Sequence, residues 1–251
     1  MDSKDSSLIN ALRYLHMVVF SGMIMFFAVV YAAVTIPMSI FSTRIARNVA
    51  REWSLRVLEL GGVKLKVVGK EKLDPNERYV FISNHQSALD IPIIYQAIGG
   101  QISFIAKKEL FRIPVFGWGM SAIGHISIDR QSSRQALISM KKAVVKLEKE
   151  KISLVLFPEG TRSKDGRVGE FKTASFTLAL QSGVKLVPIA IKDAINCLPP
   201  NSLRVRPGKT TLEIGDPITL EEIQGKSKGE LCGRVQELVK AMVEGGVAES
   251  V

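Results

Sequence analysis

Tyr79-Val80-Phe81-Ile82-Ser83-Asn84-His85-Gln86-Ser87-Ala88-Leu89-Asp90-Ile91-Pro92-Ile93-Ile94-Tyr95 is the stretch on which the reading of this chain turns. Its first five residues form a short apolar run rich in β-formers, and its last five form a second apolar run. Between them lies a polar turn, so the stretch reads as a buried strand, a sharp turn and a helix that starts at Ser87. In open α/β sheets, ligands bind at the carboxyl ends of strands, which is where this turn sits. It presents His85, and five residues on, in the first helical turn, comes Asp90. A carboxylate that fixes the tautomer of an imidazole and stabilises its protonated form makes a general base near neutral pH. Ser87-Ala88-Leu89-Asp90 also fits a capping box, in which Asp90 would do no more than cap the helix. That alternative stays open on this segment alone. His16 has no acid among the ten residues that follow it. His125 and Asp129, four apart on an expected strand, are too distant along one face to touch.

Working outward, the pattern from Gly61 alternates. Val63–Val68, Tyr79–Ser83, Ile102–Ala106, His125–Ile128, Leu154–Phe157 and Leu186–Ile191 read as strands. Ile91–Ile98, Ser133–Glu150 and Thr173–Gln181 read as helices, the last closed by Gly183. Leu203–Val205 and Thr210–Ile214 look like a late hairpin around Pro207-Gly208, and Leu231 to Met242 marks a closing amphipathic helix. The fold class is α/β, with a mixed, largely parallel sheet covered by helices.

The 251 residues, 46% hydrophobic with a formal charge of +10, suffice for one domain and an appendage. Cys197 and Cys232 sit in no nucleophile motif, suit a reducing compartment and form no metal-ligand cluster; no metal and no cofactor is expected. From Tyr14 to Phe41 there is no Lys, Arg, Asp or Glu, enough helix to exceed the roughly 30 Å hydrocarbon core. This reads as a membrane anchor, and Gly22 and Pro37 leave spanning and dipping into one leaflet both open. Ser42–Leu60 reads as a lopsided helix, with Ile45, Val49, Trp53, Val57 and Leu60 on one side and Arg44, Arg47 and Arg51 opposite. Such a helix suits an anionic lipid surface, and the alternative is a helix packed on its own domain. The expected division is membrane-anchoring helices over 1–60 and a domain over 61–251. Arginines after the anchor place that domain on the cytoplasmic face of the membrane.

Two further turns follow expected strands. Gly124-His125-Ile126-Ser127-Ile128-Asp129-Arg130 delivers an Asp-Arg pair, and Phe157-Pro158-Glu159-Gly160-Thr161-Arg162-Ser163 delivers a second arginine. A guanidinium fork matches phosphate, and Gly160 lets a backbone approach an anion closely. Singly, these are a surface ion pair and a polar loop. Together with His85 they suggest a base beside a phosphate-sized anion site.

The ordered segments His85…Asp90, Gly124–Arg130, Phe157–Ser163 and Val187-Pro188-Ile189-Ala190-Ile191 resemble the 1-acyl-glycerol-3-phosphate acyltransferase family of glycerolipid acyltransferases. Lys107-Lys108-Glu109-Leu110, with Ile113-Pro114 and Gly117, is similar to the family's segment between the first two blocks. One departure is Thr173-Ala174 after Phe171-Lys172, where the family commonly has a basic residue and glycine. The resemblance implies acyl transfer from acyl-CoA or an acyl carrier protein to the sn-2 hydroxyl of lysophosphatidic acid, giving phosphatidic acid. It implies His85 as base and Asp90 as its support. Arg130, Glu159 and Arg162 would seat the glycerol phosphate, Gly160 and Thr161 would shape the pocket, and Lys107 or Lys108 would assist with charge. No Gly-x-Ser-x-Gly elbow is present, so direct transfer without an acyl-enzyme is expected. Glycerol 3-phosphate or another lysolipid as acceptor, a lipid or thioester hydrolase, and a peripheral lipid binder are the competing readings. Nucleic-acid binding is not expected, because no aromatic-basic interleaving accompanies the charge.

Overall fold

The computed structural model describes residues 22–23, 26–99, 101–129 and 133–245. Helix α1 (26–41) leads into α2 (Thr43–Leu60), β1 (Val63–Val68), β2 (Tyr79–Ser83), α3 (Asp90–Ile98), β3 (Ile102–Lys107) and α4 (Phe116–Ala122). There follow β4 (Ile126–Ile128), α5 (Ser133–Glu150), β5 (Ser153–Leu156), α6 (Phe176–Gln181), β6 (Lys185–Lys192) and α7 (Ala194–Cys197). The chain closes with β7 (Gly208–Ile214), α8 (Leu220–Ile223) and α9 (Lys228–Glu244). The strands form a seven-stranded sheet in the order β1-β7-β6-β2-β5-β3-β4. Its neighbours are parallel except β6 and β7, so the sheet is mixed and largely parallel, as expected.

The central strands are continuous apolar runs because both of their faces are covered. Alternation along each strand sends Phe81, Val155, Val187 and Ile189 into one core with Ala46, Ala50, Ile93 and Ile94 of α2 and α3. Val80, Ile82, Leu154, Leu156 and Leu186 enter the opposite core with Leu147, Leu178, Val235 and Val239 of α5, α6 and α9. The neighbours β2 and β5 therefore send their connections to opposite faces, β2 through α3 to β3 and β5 through α6 to β6. Their carboxyl ends mark the switch point of the sheet, the place of the ligand crevice in open α/β folds.

Two expectations are corrected. Residues 203–207 form no strand; Pro207 has no N–H for a ladder, and the Arg206 N–H donates to the Cys197 carbonyl instead (2.8 Å). Instead of a hairpin, β7 pairs in parallel with β1 and antiparallel with β6. In α2 the buried face is Ala46, Arg47, Ala50, Ser54, Val57 and Leu58, while Ile45 and Leu60 are exposed. Arg47, expected toward lipid, is 1% exposed. Its guanidinium donates to the Ile123 carbonyl (3.0 Å) and Gln101 Oε1 (3.2 Å) and pairs with Glu150. A buried charge persists only where its donors are met, and here they are. The small side chains of Ala46 and Ala50 let α2 join the core shared with α3. Among the described residues no helix is long and apolar enough to cross a membrane. Residues 14–21 and 24–25 of the expected anchor lie outside the described residues.

Candidate active site

β2 ends at Ser83, and the next residue fixes the direction of the turn. Buried Asn84 accepts from the Ile191 N–H through Oδ1 (2.8 Å) and donates to the Ile191 carbonyl through Nδ2 (2.9 Å), tying the turn to β6. His85 follows, with Nδ1 2.7 Å from Asp90 Oδ2. Asp90 is fully buried, and the same oxygen accepts from the N–H groups of Gln86 (2.7 Å) and Ser87 (2.9 Å). The helix starts at Asp90, three residues later than Ser87, because Ser87–Leu89 is a turn gathered around that carboxylate. Ser87 Oγ accepts from the Leu89 N–H (3.1 Å) and donates to the Leu198 carbonyl (2.8 Å). Asp90 thus makes the backbone bond that the capping reading requires and also holds the ring. A carboxylate only accepts, so Nδ1 carries a proton and Nε2 is the lone-pair nitrogen of the neutral ring, which is 20% exposed.

The loop after β5 supports this ring from the other side of the crevice. Phe157 stacks on the imidazole with centroids 4.2 Å apart, and Phe104 of β3 stacks on Phe157 at 6.2 Å. The Glu159 carboxylate accepts the His85 N–H through Oε1 (2.9 Å), and the Ser163 N–H donates to the His85 carbonyl (2.7 Å). Gly160 sits between them at φ 77°, a left-handed turn that suits glycine. A Cβ on Gly169 would lie 2.9 Å from Glu159 Oε2, so the chain closes tightly over that carboxylate. Burial pushes the Glu159 carboxyl above the usual range, opposed by the N–H groups of His85 and Gly169.

The structure therefore joins His85, Asp90 and Glu159 directly. Arg162 lies between Glu159 and Ser163 in the chain, is partly exposed, and makes no hydrogen bond or ion pair among the described residues; Thr161 is exposed. Lys107 is exposed and 3.8 Å from Glu109, and Lys108 pairs with Asp129 at 3.2 Å, both at the end of β3. Arg130 lies outside the described residues. Sequence reasoning missed Asn84, Phe157 and Ser163 as supports. The only signal for Asn84 was an Asn directly after an apolar strand, and its partner is 107 positions away.

The other titratable candidates are differently placed. His125 accepts from the Phe104 N–H (3.3 Å) and faces the Tyr95 hydroxyl (3.4 Å). Burial, with the charges of Arg47 and Lys146, lowers it to about 3, so it is neutral at physiological pH. Burial pushes both cysteine thiols up. A cavity of about 1040 Å³ lies at the opposite end of the sheet, bordered by Tyr79, Ile102 and Ser153, the first residues of β2, β3 and β5.

Fold and site define an α/β protein with a carboxylate-supported histidine at the switch point of its sheet. More specifically, the chain belongs to the acyltransferase family, whose model matches residues 64–192, just over half its length. It is 39% identical over 140 residues to the chloroplastic 1-acyl-sn-glycerol-3-phosphate acyltransferase LPAT1 of Arabidopsis thaliana, covering 55% of this chain and 39% of that one. It is 31% identical to the 1-acyl-sn-glycerol-3-phosphate acyltransferase of Saccharomyces cerevisiae, covering 76% and 63%. The match to the Bos taurus alpha form is 29% over 90% and 78%. The alignments thus span well under half of the Arabidopsis relative and just under two thirds of the yeast one. The crystal structure of the 1-acyl-sn-glycerophosphate (LPA) acyltransferase PlsC from Thermotoga maritima is similar, with a TM-score of 0.77 and 28% identity over 92% of this chain and 96% of that one.

Proposed function

We propose that this chain transfers a fatty acyl group from a thioester, acyl-CoA or acyl carrier protein, to the sn-2 hydroxyl of lysophosphatidic acid, giving phosphatidic acid. The observation that carries the proposal is the Nδ1–Asp90 bond of His85, which leaves Nε2 basic at the switch point, in a chain whose relatives bear that activity in their names.

Nε2 takes the proton of the sn-2 hydroxyl as its oxygen attacks the thioester carbonyl carbon, forming the C–O bond. The growing imidazolium is stabilised by Asp90. Collapse of the tetrahedral intermediate breaks the C–S bond, and Nε2 returns its proton to the departing thiolate. The N–H groups of Gln86 and Ser87 are committed to Asp90 and that of Leu89 to Ser87 Oγ, so these three do not meet the oxyanion. Arg162, partly exposed and without an ion pair among the described residues, receives the acceptor phosphate, a task that the family resemblance assigns to Arg130 as well. Gly160 and Thr161 shape that wall, and Lys107 or Lys108 adds charge at the next strand end. Glu159 acts through the backbone of His85. Both lipids reside in a bilayer, so the domain works at the membrane, on the cytoplasmic face.

The test is purified protein with a labelled acyl thioester and a panel of lysophosphatidic acid, glycerol 3-phosphate and other lysolipids, read by product mass. Phosphatidic acid from lysophosphatidic acid, lost by 10²- to 10⁴-fold or more in His85→Ala, is expected. Rapid fatty-acid release without any acceptor would replace the proposal with a hydrolase. An acyl adduct trapped on Ser87 or a cysteine would exclude direct transfer.

A further inference from the structure

From the end of β3 into α4 the chain displays large apolar side chains that no other described element covers. Leu110, Ile113, Phe116 and Trp118 are 38%, 46%, 48% and 60% exposed, all within nine residues. An exposed apolar cluster of this kind on a folded domain marks a surface made for a partner.

The segment is tightly built. Val115 is held at φ 64°, where a β-branched residue is strained, and the Phe116 N–H closes a short turn onto the Pro114 carbonyl (2.7 Å). A Cβ on Gly117 would lie 2.2 Å from the Phe111 carbonyl oxygen, so only glycine fits that approach. The exposed side chains are therefore presented by a fixed backbone. Exposed Lys107 and Lys108, near Glu109 and paired with Asp129 respectively, precede them, and exposed Arg112 lies among them.

Two features identify the occupant. First, α4 abuts α1: a Cβ on Gly119 would lie 3.8 Å from that of Ala32. Helix α1 carries its own outward stripe of Phe26, Val29, Val30, Val34 and Met38 at helical spacing, all exposed, so the helix that α4 abuts is itself apolar on its outer side. Second, the composition is that of an interfacial element, with a Trp and a Phe beside aliphatic residues and cations at the edge, which matches an anionic lipid surface.

We propose that Leu110, Ile113, Phe116 and Trp118 form a second seat in the bilayer, separate from the amino-terminal apolar segment, inserting into a surface that carries anionic lipid. The segment leaves the carboxyl end of β3, and through the Phe104–Phe157–His85 stack that end adjoins the imidazole. Seating it brings the mouth of the site to the depth at which lysolipid and acyl chain lie. The inference rests on the membrane-lipid reading above.

Trp118 reports on itself, because Trp53 is the only other tryptophan. The full chain, in wild-type and Trp118→Phe forms, is mixed with phosphatidylcholine–phosphatidylglycerol vesicles free of substrate, with and without bromine on the acyl chains. The difference spectrum isolates Trp118 without altering Trp53. A blue shift on vesicle addition and about twofold or greater quenching by brominated lipid are expected. Unshifted, unquenched Trp118 emission in protein that pellets with the vesicles would overturn the proposal, since the amino-terminal segment would then hold the chain alone. A shift that grows with protein concentration in the absence of lipid would overturn it in favour of a second copy of the chain. These readouts need no turnover, so they separate failure of this inference from failure of the proposed activity. If the activity stands, the Phe116→Ser/Trp118→Ser variant loses about tenfold or more on vesicle-borne lysophosphatidic acid and keeps its rate on a short-chain, water-soluble analogue. Equal loss on both substrates would refute the bilayer role.

Discussion

Replacing Asp90 by Asn separates a carboxylate that supports a base from one that only caps a helix. The Asp90 charge attracts the imidazole only when the ring is protonated, which in the proposed mechanism happens as His85 takes the acceptor proton. With Nδ1 2.7 Å from Oδ2, the charge centres are about 4 Å apart; at an effective dielectric near 20 this is about 4 kcal/mol, or roughly 10³ in rate. The backbone bonds are less affected, because one amide oxygen can still accept from Gln86 and Ser87. The amide nitrogen would then occupy the place of Oδ1, a buried atom without a partner, leaving its donors unmet at a cost of about 1–3 kcal/mol. Asp90→Asn should therefore fold with a lowered melting temperature, by about 2–4 °C for each kcal/mol. It should turn over about 10³ times more slowly at saturating substrates. Rates and melting curves are measured together, and Asp90→Asn is also placed in the His85→Ala background, where it should cost nothing further in rate. A folded Asp90→Asn enzyme within about tenfold of wild type would refute the reasoning and leave Asp90 as a cap.

Three further outcomes follow from groups outside the dyad. Asn84→Ala strips the Ile191 N–H and carbonyl of their partners inside the protein, so stability by denaturant titration should drop by about 2–4 kcal/mol, and a drop below about 1 would contradict this account. His125 is depressed from its ordinary value near 6.5 to about 3, so the unfolded chain binds more protons between those values. Stability is then full above pH 6.5 and falls toward pH 3 by up to about 1.4 kcal/mol per unit; His125→Asn should flatten that slope relative to wild type, and parallel profiles would refute the assignment. Arg47→Met leaves the Ile123 carbonyl and Gln101 Oε1 without their donor and Glu150 with Lys146 alone (3.5 Å), and should cost about 3 kcal/mol, the low end for a buried pair because Glu150 is partly exposed. Wild-type stability in that variant would return Arg47 to the surface.

What could be read beforehand was local. β2 and its turn are apolar run and polar break within seventeen residues, and His85 and Asp90 are only five apart, so ring and carboxylate could be paired on paper. The supports of the ring are long-range. Glu159 reaches the His85 N–H across 74 positions and Asn84 reaches Ile191 across 107, and a bond to backbone leaves no side-chain pattern to find. The orientation of α2 was misjudged for a related reason. Counting hydrophobicity favoured Ile45 and Val49, whereas close packing on α3 requires the small Ala46 and Ala50, and the acceptors for Arg47 are 54, 76 and 103 positions away. Pro207-Gly208 looked like a hairpin turn because turn signals are local, while the partners of β7 are β1 and β6.

The block Phe157–Ser163 shows why topology matters to this chemistry. Its side chains suggest an anion site, yet two of its contacts hold the backbone of His85, one at the N–H and one at the carbonyl. Phe157 covers a face of the ring, and Asp90, from the start of α3, holds its edge. These supports arrive from β5 on one side of the crevice and from β2–α3 on the other, and neither segment alone fixes the imidazole. Because the clamp grips main-chain atoms, it persists in His85→Ala, which makes that variant a measure of lost proton transfer. Arg162 lies between the two clamping residues, so the loop that orients the imidazole is also the one on which the proposed function places the acceptor phosphate.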